Sequence, residues 1–319
     1  NQKIYRALKK LSDRKDELFN EEGLSKYSPK FLACLNNIRN PEYNGNHLLY
    51  SQFRTLEGIG IFKIVLEANG FVEMKLKKTN ITAANIENLN DENIDIPSDV
   101  TYVLDIPEDK WNYPKFALYT GTESEYEKEL IRNIYNGDWD NLPGPLLSQV
   151  KRLGENNFYG DVCKVLMITS AGAEGINLKN VRFVHLMEPY WHPVRIEQVI
   201  GRARRICSHK DLPLELQNIE TFLYITRFTK QQISNGEYKE ITINDNGMTS
   251  DDKLFELLSK KSRINKSLLD TLRETSIDCT INQKNDGTQC FRLPVSDKST
   301  YLTNPDFYQR SGETKTQTK

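Results

Sequence analysis

The sequence is short of the residues that build metal centres and membrane spans. It has four histidines and five cysteines in 319 residues. The cysteines (Cys34, Cys163, Cys207, Cys279 and Cys290) are scattered, form no CxxC pair and meet no histidine at zinc spacing. That pattern reads as reduced intracellular thiols, mostly in cores. Apolar runs reach only strand length, as in VLMI at 165–168, so no transmembrane helix is expected, and no signal-peptide pattern opens the chain. An excess of one charge is missing too. The net charge is -1, so any nucleic-acid surface has to be a local patch. Two nucleotide motifs are absent: there is no GxxxxGK[ST] loop, hence no P-loop lysine or Mg²⁺-binding hydroxyl, and no DExx box behind a hydrophobic strand.

What is present reads as an α/β protein. Hydrophobic content of 38% and charged content of 27% suit a polar-surfaced chain with ample core. Residues 1–26 mix both charges, with Leu8, Leu11 and Leu18 at helical spacing, and predict a solvated helix or linker. Ser28-Pro29 predicts an N-cap and first helical position ahead of FLACLNNI, which Asn40-Pro41 ends. Strand HLLYSQF (47–53), a helix over 56–69 stopped by Gly70, and strand FVEMKL (71–76) form a β-α-β unit and a parallel sheet. Residues 80–110 carry eight acids (Glu87, Asp91, Glu92, Asp95, Asp99, Asp105, Glu108, Asp109) against Lys110, and read as an acidic insertion over about 77–114. TYVLD (101–105) superficially resembles a metal-binding strand, but Ile106-Pro107 follows where a second acid belongs.

FALYTG (116–121) resumes the sheet. Thr122 with Glu125 predicts a capping box for a helix over 123–136, and Gly137 stops it. A helix near 146–153, strands at 164–169 and 182–188, a helix over 194–206 and strand TFLYITRF (221–228) complete one α/β domain over about 27–230. Residues 231–319 read as an extension. Thr249 and Asp252 cap a long helix whose Leu254, Leu257, Leu258, Ile264, Leu268 and Leu272 predict core packing, and the last dozen residues predict disorder.

The chemistry concentrates in 164–205. The loop SAGAEGINL (170–178) follows a strand, and its small residues let backbone amides approach a phosphate or ribose. Alone, such a loop is as often only a turn. Gln198, Gly201, Arg202 and Arg205 then follow with the spacing QxxGRxxR. On a continuous helix, Arg202 and Arg205 share a face, and two guanidiniums there suit the terminal phosphate of a triphosphate. A solvated basic face accounts for Arg204 but not for the whole set.

SAGAEGINL resembles motif V, and QVIGRARR motif VI, of the superfamily 2 helicases and translocases. YSQFR (50–54) is similar to the motif IV strand. YTG (119–121) is similar to the motif that grips the nucleic-acid backbone. GINL is close to the Swi2/Snf2-like branch. RRICSHKDLP (204–213) and SIDC (276–279) look closer to the NTPase and early-transcription-factor helicases of large nucleocytoplasmic DNA viruses.

The resemblance implies a RecA-like parallel sheet with flanking helices, an acidic insertion and a helical C-terminal extension. It implies that Arg205 is an arginine finger, that Arg202 meets the same phosphate and that Gln198 positions the finger or the attacking water. Gly175 and Asn177 would lie near the ribose. Gln52, Thr120, Gly121 and Ser170 would meet the phosphodiester backbone without reading sequence. The implied cofactors are ATP and Mg²⁺, with the Mg²⁺ ligands on an upstream RecA-like domain. The implied partners are nucleic acid, DNA ahead of RNA, and transcription machinery, in a viral host's cytoplasm and virion rather than at a membrane. With both phosphate-gripping motifs missing and Asn1 in first place, the chain reads as the second RecA-like half of a longer polypeptide, inactive alone. The alternative is a RecA-like module kept for binding or scaffolding in a transcription-factor complex.

Overall fold

A computed structural model of the chain describes residues 2–56, 58–80, 100–121, 123–170, 175–236, 239, 247–276, 279 and 290. The chain divides into two compact units, 1–255 and 256–319.

The first unit is built on six parallel strands: β1 (Asn46–Tyr50), β2 (Val72–Glu73), β5 (Lys115–Tyr119), β6 (Val165–Ile168), β7 (Val181–Leu186) and β8 (Glu220–Leu223). Their order is β2-β5-β6-β1-β7-β8, and every pairing is parallel. All residues of β1, β6 and β7 are buried, as expected for strands covered on both faces. Alternate side chains divide between two cores. Leu48, Leu166, Ile168, Val184 and Leu186 pack with helices α6 (Glu125–Asn136), α7 (Gly144–Leu153) and α8 (Pro193–Ala203), through Leu130, Ile134, Leu146, Val150 and Val199. Leu49, Val165 and Met167 pack with α3 (Glu21–Tyr27), α4 (Pro29–Arg39) and α5 (Ile59–Ala68), through Leu24, Leu35, Ile38, Phe62 and Leu66. This three-layer arrangement is the expected RecA-like α/β fold.

The N-terminal residues are not solvated throughout. In α1 (Gln2–Asp13), α2 (Lys15–Leu18) and α3, Leu8, Leu11, Leu18, Phe19 and Leu24 all join the second core. The charge mixture of this segment masked its narrow apolar stripe. The cap at Ser28 is as expected: its hydroxyl accepts from the Phe31 amide, with Pro29 in the first turn.

FVEMKL is not one strand. Val72–Glu73 joins the main sheet, and the chain then turns into β3 (Leu76–Asn80), which pairs antiparallel with β4 (Val100–Leu104) in a separate two-stranded sheet. TYVLD therefore ends in this two-stranded sheet, where Asp105 faces Lys77 at 3.5 Å, and not at the edge of the parallel sheet. Glu87, Asp91, Glu92, Asp95 and Asp99 of the acidic insertion lie outside the described residues, as does Thr122. The cap of α6 is instead Ser124, in a reciprocal box with Glu127.

A closed polar chain crosses the sheet interior. The Tyr43 carbonyl can only accept, so His47 Nε2 carries the hydrogen of that 3.1 Å contact. His47 Nδ1 then accepts from His185 Nε2 at 2.9 Å, and His185 Nδ1 accepts the Tyr224 hydroxyl at 2.8 Å. Tyr224 in turn accepts from Asn37 at 2.9 Å. Burial pushes the His185 ring down to about 3, and burial together with His185 holds His47 well below the usual histidine range.

Helix α9 (Ser250–Thr275) begins in the first unit, where Asp251 pairs with Lys30 and accepts from the Thr226 amide. Thr249 caps it by accepting from the Asp252 amide. Farther along, Ile264, Leu268 and Leu272 are 59–65% exposed, so the expected core stripe is solvent-facing there. A stripe at helical period fixes a face but not what covers it. Cys279 and Cys290 form a disulfide in the second unit, against the expectation of reduced thiols throughout; Cys34, Cys163 and Cys207 are free. An 11-residue separation in sequence gives no sign that the two Cα atoms come within 5.8 Å. The predicted disordered tail lies outside the described residues.

Candidate functional site

Parallel strands point their carboxyl ends to one edge, and in open α/β sheets ligands bind there. Here Tyr119 of β5, Ile168 of β6, Tyr50 of β1 and Leu186 of β7 lie in register. The residues that follow are therefore neighbours. Thr169 donates to the Thr120 carbonyl at 3.3 Å, the Ser51 amide to Ile168 at 3.3 Å and the Met187 amide to Tyr50 at 3.0 Å. Gln52, Thr120, Gly121 and Ser170 thus sit on one edge, each just past a strand.

Two acids already occupy the donors at this edge. Glu188, 8% exposed, accepts from the Gln52 amide and from the Ser51 hydroxyl at 3.1 Å. Burial pushes its carboxyl up to about 7, against those two hydrogen bonds. Gly58 shapes the same turn: a Cβ there would lie 2.1 Å from the Phe53 carbonyl and 2.3 Å from the Ser51 hydroxyl. Glu123 accepts from the Thr120 amide at 3.0 Å, the Thr120 hydroxyl at 3.2 Å and the Gly121 amide at 3.1 Å.

The arginine segment differs from its expected form. α8 starts as predicted, with Pro193 in its first turn and His192 accepting from the Val194 amide at 3.2 Å. It ends at Ala203, not 206. Arg204 is the cap, and Cys207 turns the chain with φ 60. Ser208 closes the end. Its hydroxyl lies 3.0 Å from the Ala203 carbonyl and accepts from the Arg205 amide at 3.3 Å. Arg205 therefore lies beyond the helix and does not share a helical face with Arg202. Gln198 and Arg202, four apart, share one instead, and neither side chain has a partner among the described residues.

Arg205 folds back onto the Gly-rich loop. Its Nη1 donates to Asn177 Oδ1 at 3.0 Å and its Nη2 to the Ile176 carbonyl at 3.0 Å. A guanidinium has five N–H groups, and among the described residues these two contacts use two of them. Ile176 and Leu178 are buried and anchor the loop, while Gly175, at φ 76, and Asn177 face outward. Residues 171–174 of SAGAEGINL lie outside the described residues. The structure thus brings Gly175, Asn177 and Arg205 together.

The sequence reading missed Asn136, the last residue of α6. Its side chain donates to the Asn177 carbonyl at 3.0 Å and accepts from the Lys179 amide at 2.9 Å. The available signal was Asn133 and Asn136, three apart on a helix whose other buried positions are apolar. Glu123, Glu188 and Ser208 were missed as well, and nothing in their spacing marks them. Among the described residues there is no group of three or more His, Cys, Asp or Glu that could hold a metal ion.

The family described as "Helicase conserved C-terminal domain" matches residues 109–207. The "Termination factor NPH-I homolog" of African swine fever virus (isolate Pig/Kenya/KEN-50/1950) is 30% identical over 292 residues, covering 88% of this chain and 37% of that protein. The "Putative ATP-dependent RNA helicase R350" of Acanthamoeba polyphaga mimivirus is 26% identical over 257 residues, covering 79% of this chain and 24% of that protein. Among solved structures, the C-terminal part of the Fun30 ATPase domain aligns at a TM-score of 0.35 and 13% identity, over 74% of this chain and 51% of that one. The chain spans little more than a third of the length of the first of these viral relatives.

Proposed function

We propose that this chain, which carries a helicase C-terminal domain of superfamily 2 related to viral NTPase helicases, forms one wall of an ATP site in a nucleic-acid motor. The observation that carries this reading is the clasp of Arg205 on Ile176 and Asn177. It holds a guanidinium at the Gly-rich loop with donors to spare. Charge developing on a transferred phosphoryl group is stabilised most by donors fixed beforehand. Arg205 supplies them, Arg202 meets the same phosphate from the exposed face of α8, and Gln198 orients the finger or the water. Gly175 and Asn177 lie against the ribose. Mg²⁺ and the lysine that hold the phosphates belong to the opposite wall, an upstream RecA-like domain.

Gln52, Thr120, Gly121 and Ser170 grip the phosphodiester backbone at the carboxyl edge of the sheet. Closure of the two walls on ATP and reopening after hydrolysis step the domains along a strand. The relatives, a termination factor homolog and a putative ATP-dependent RNA helicase, support a role in viral transcription. Arg205→Ala in the full-length protein is expected to leave ATP binding nearly intact and to lower turnover by roughly 10³. Turnover within a few-fold of the parent in a stopped-time phosphate-release assay would refute the finger assignment.

A further inference from the structure

We infer that Asn136 is a positioning residue for Arg205, and that α6 ties the geometry of Arg205 to the Thr120–Gly121 turn. The inference rests on the roles proposed above for Arg205 and for Thr120–Gly121.

Asn136 is polar, yet only 5% exposed. The simplest account is that it closes the end of its own helix, and the hydrogen bonds say otherwise. The Gly137 amide reaches the Asn133 and Ile134 carbonyls, the Asp138 amide reaches Asn133 at 2.9 Å, and Trp139 and Asn157 donate to the Ile134 and Tyr135 carbonyls, so the helix end is satisfied without the Asn136 side chain. Both polar atoms of the Asn136 side chain go to the Gly-rich loop instead. One bond fixes the carbonyl of Asn177 and the other fixes the amide of Lys179. Between them they set the peptide planes on either side of Leu178. The side chain of Asn177 is thereby aimed, and it is the group that accepts from Arg205 Nη1. A second tie, Lys179 to Asp138 at 2.7 Å, follows directly behind.

The other end of α6 begins at the proposed backbone grip. Glu123 holds the amides of Thr120 and Gly121, and the Ser124–Glu127 box closes the first turn immediately after it. Twelve helical residues span about 18 Å, and Leu130, Ile131, Ile134 and Tyr135 seat the helix on the sheet. A displacement of the Thr120–Gly121 turn is carried by a stiff element to Asn136, and from there to Asn177 and Arg205. The links are named hydrogen bonds, so each can be cut separately.

The test has two readouts. In this chain, the side-chain Nε–H signal of Arg205 is followed by ¹⁵N NMR in the parent, Asn136→Ala and Asn136→Asp. Asn136→Asp keeps the volume and the acceptor for Lys179 but sets a carboxylate oxygen against the Asn177 carbonyl, so a urea midpoint measured for each variant establishes which of them folds, and the signal is read in that one. In the full-length protein, kcat and KM for ATP are measured with and without single-stranded oligothymidylate. The expected result is a shifted or broadened Arg205 signal, a kcat lower by roughly 10- to 100-fold, an unchanged KM, and loss of most of the stimulation by oligothymidylate. An Arg205 signal unmoved in a variant that folds overturns the positioning role. A moved signal with parental turnover overturns the finger reading on which the inference rests. Reduced kcat with full retention of stimulation overturns the link through α6.

Discussion

Two polar networks in this molecule are built from similar groups and differ in how they end. The chain Tyr43–His47–His185–Tyr224–Asn37 crosses the sheet and ends on a protein group at either end, with each ring nitrogen spoken for. The chain Asn136–Asn177–Arg205 lies at the carboxyl edge and stops on a guanidinium with donors unspent. A closed network has nothing to offer a ligand, and cutting it leaves buried groups without partners. An open one is held from behind and presents its last member outward. Under the proposed function the first serves stability and the second chemistry, and each half of that division can be broken.

The largest effect belongs to the open network. The 10³-fold loss expected for Arg205→Ala should come with no more than a small change in the denaturant midpoint, because the side chain is exposed. Next is His185→Phe in the closed network. It takes the acceptor from the buried Tyr224 hydroxyl, which keeps its bond from Asn37, and the donor from His47 Nδ1, and is expected to cost about 3 kcal/mol of folding free energy in urea titration. Turnover below the transition should stay parental, and a parallel loss of turnover would blur the division.

The third effect is on pH. His185 is held neutral at about 3 in the folded chain, while an unfolded histidine protonates near 6.5. A depressed folded value means stability is fully present above 6.5 and lost as pH falls toward 3. The loss reaches about 2 kcal/mol by pH 5 from this residue. His185→Phe should flatten that slope between pH 6.5 and 5, and an unaltered slope would place the acid sensitivity elsewhere. The smallest effect is Arg204→Ala. This exposed cap residue is expected to change stability by less than about 0.5 kcal/mol and turnover by less than about twofold. A large loss there would move the finger by one residue.

Much of the scaffold was legible because its rules are local. VLMI and VRFVHL are continuous apolar runs, the pattern of strands buried on both faces. Ser28-Pro29 declared a helix start. The helix stop after Ala203 was not legible. Arg204, Arg205 and Ile206 are good helix formers, and the stop is made by the Ser208 side chain and a left-handed Cys207 where a glycine would have given the signal. The site residues of the motifs fell where the sheet's parallel edge collects them, since motif order and strand order are coupled in such folds. Asn136 and Glu188 escaped because their roles depend on partners 41 and 136 positions away, which no spacing rule reaches.

The carboxylate of Glu123 on the Thr120 and Gly121 amides has a consequence for how a strand would be held there. A phosphate arriving at those amides does not fill an empty seat; it evicts a resident anion of the same sign and similar reach. Occupancy then follows a competition between a tethered carboxylate, always at hand, and a phosphodiester that must be delivered. Grip of this kind would be easily released, as the proposed stepping requires.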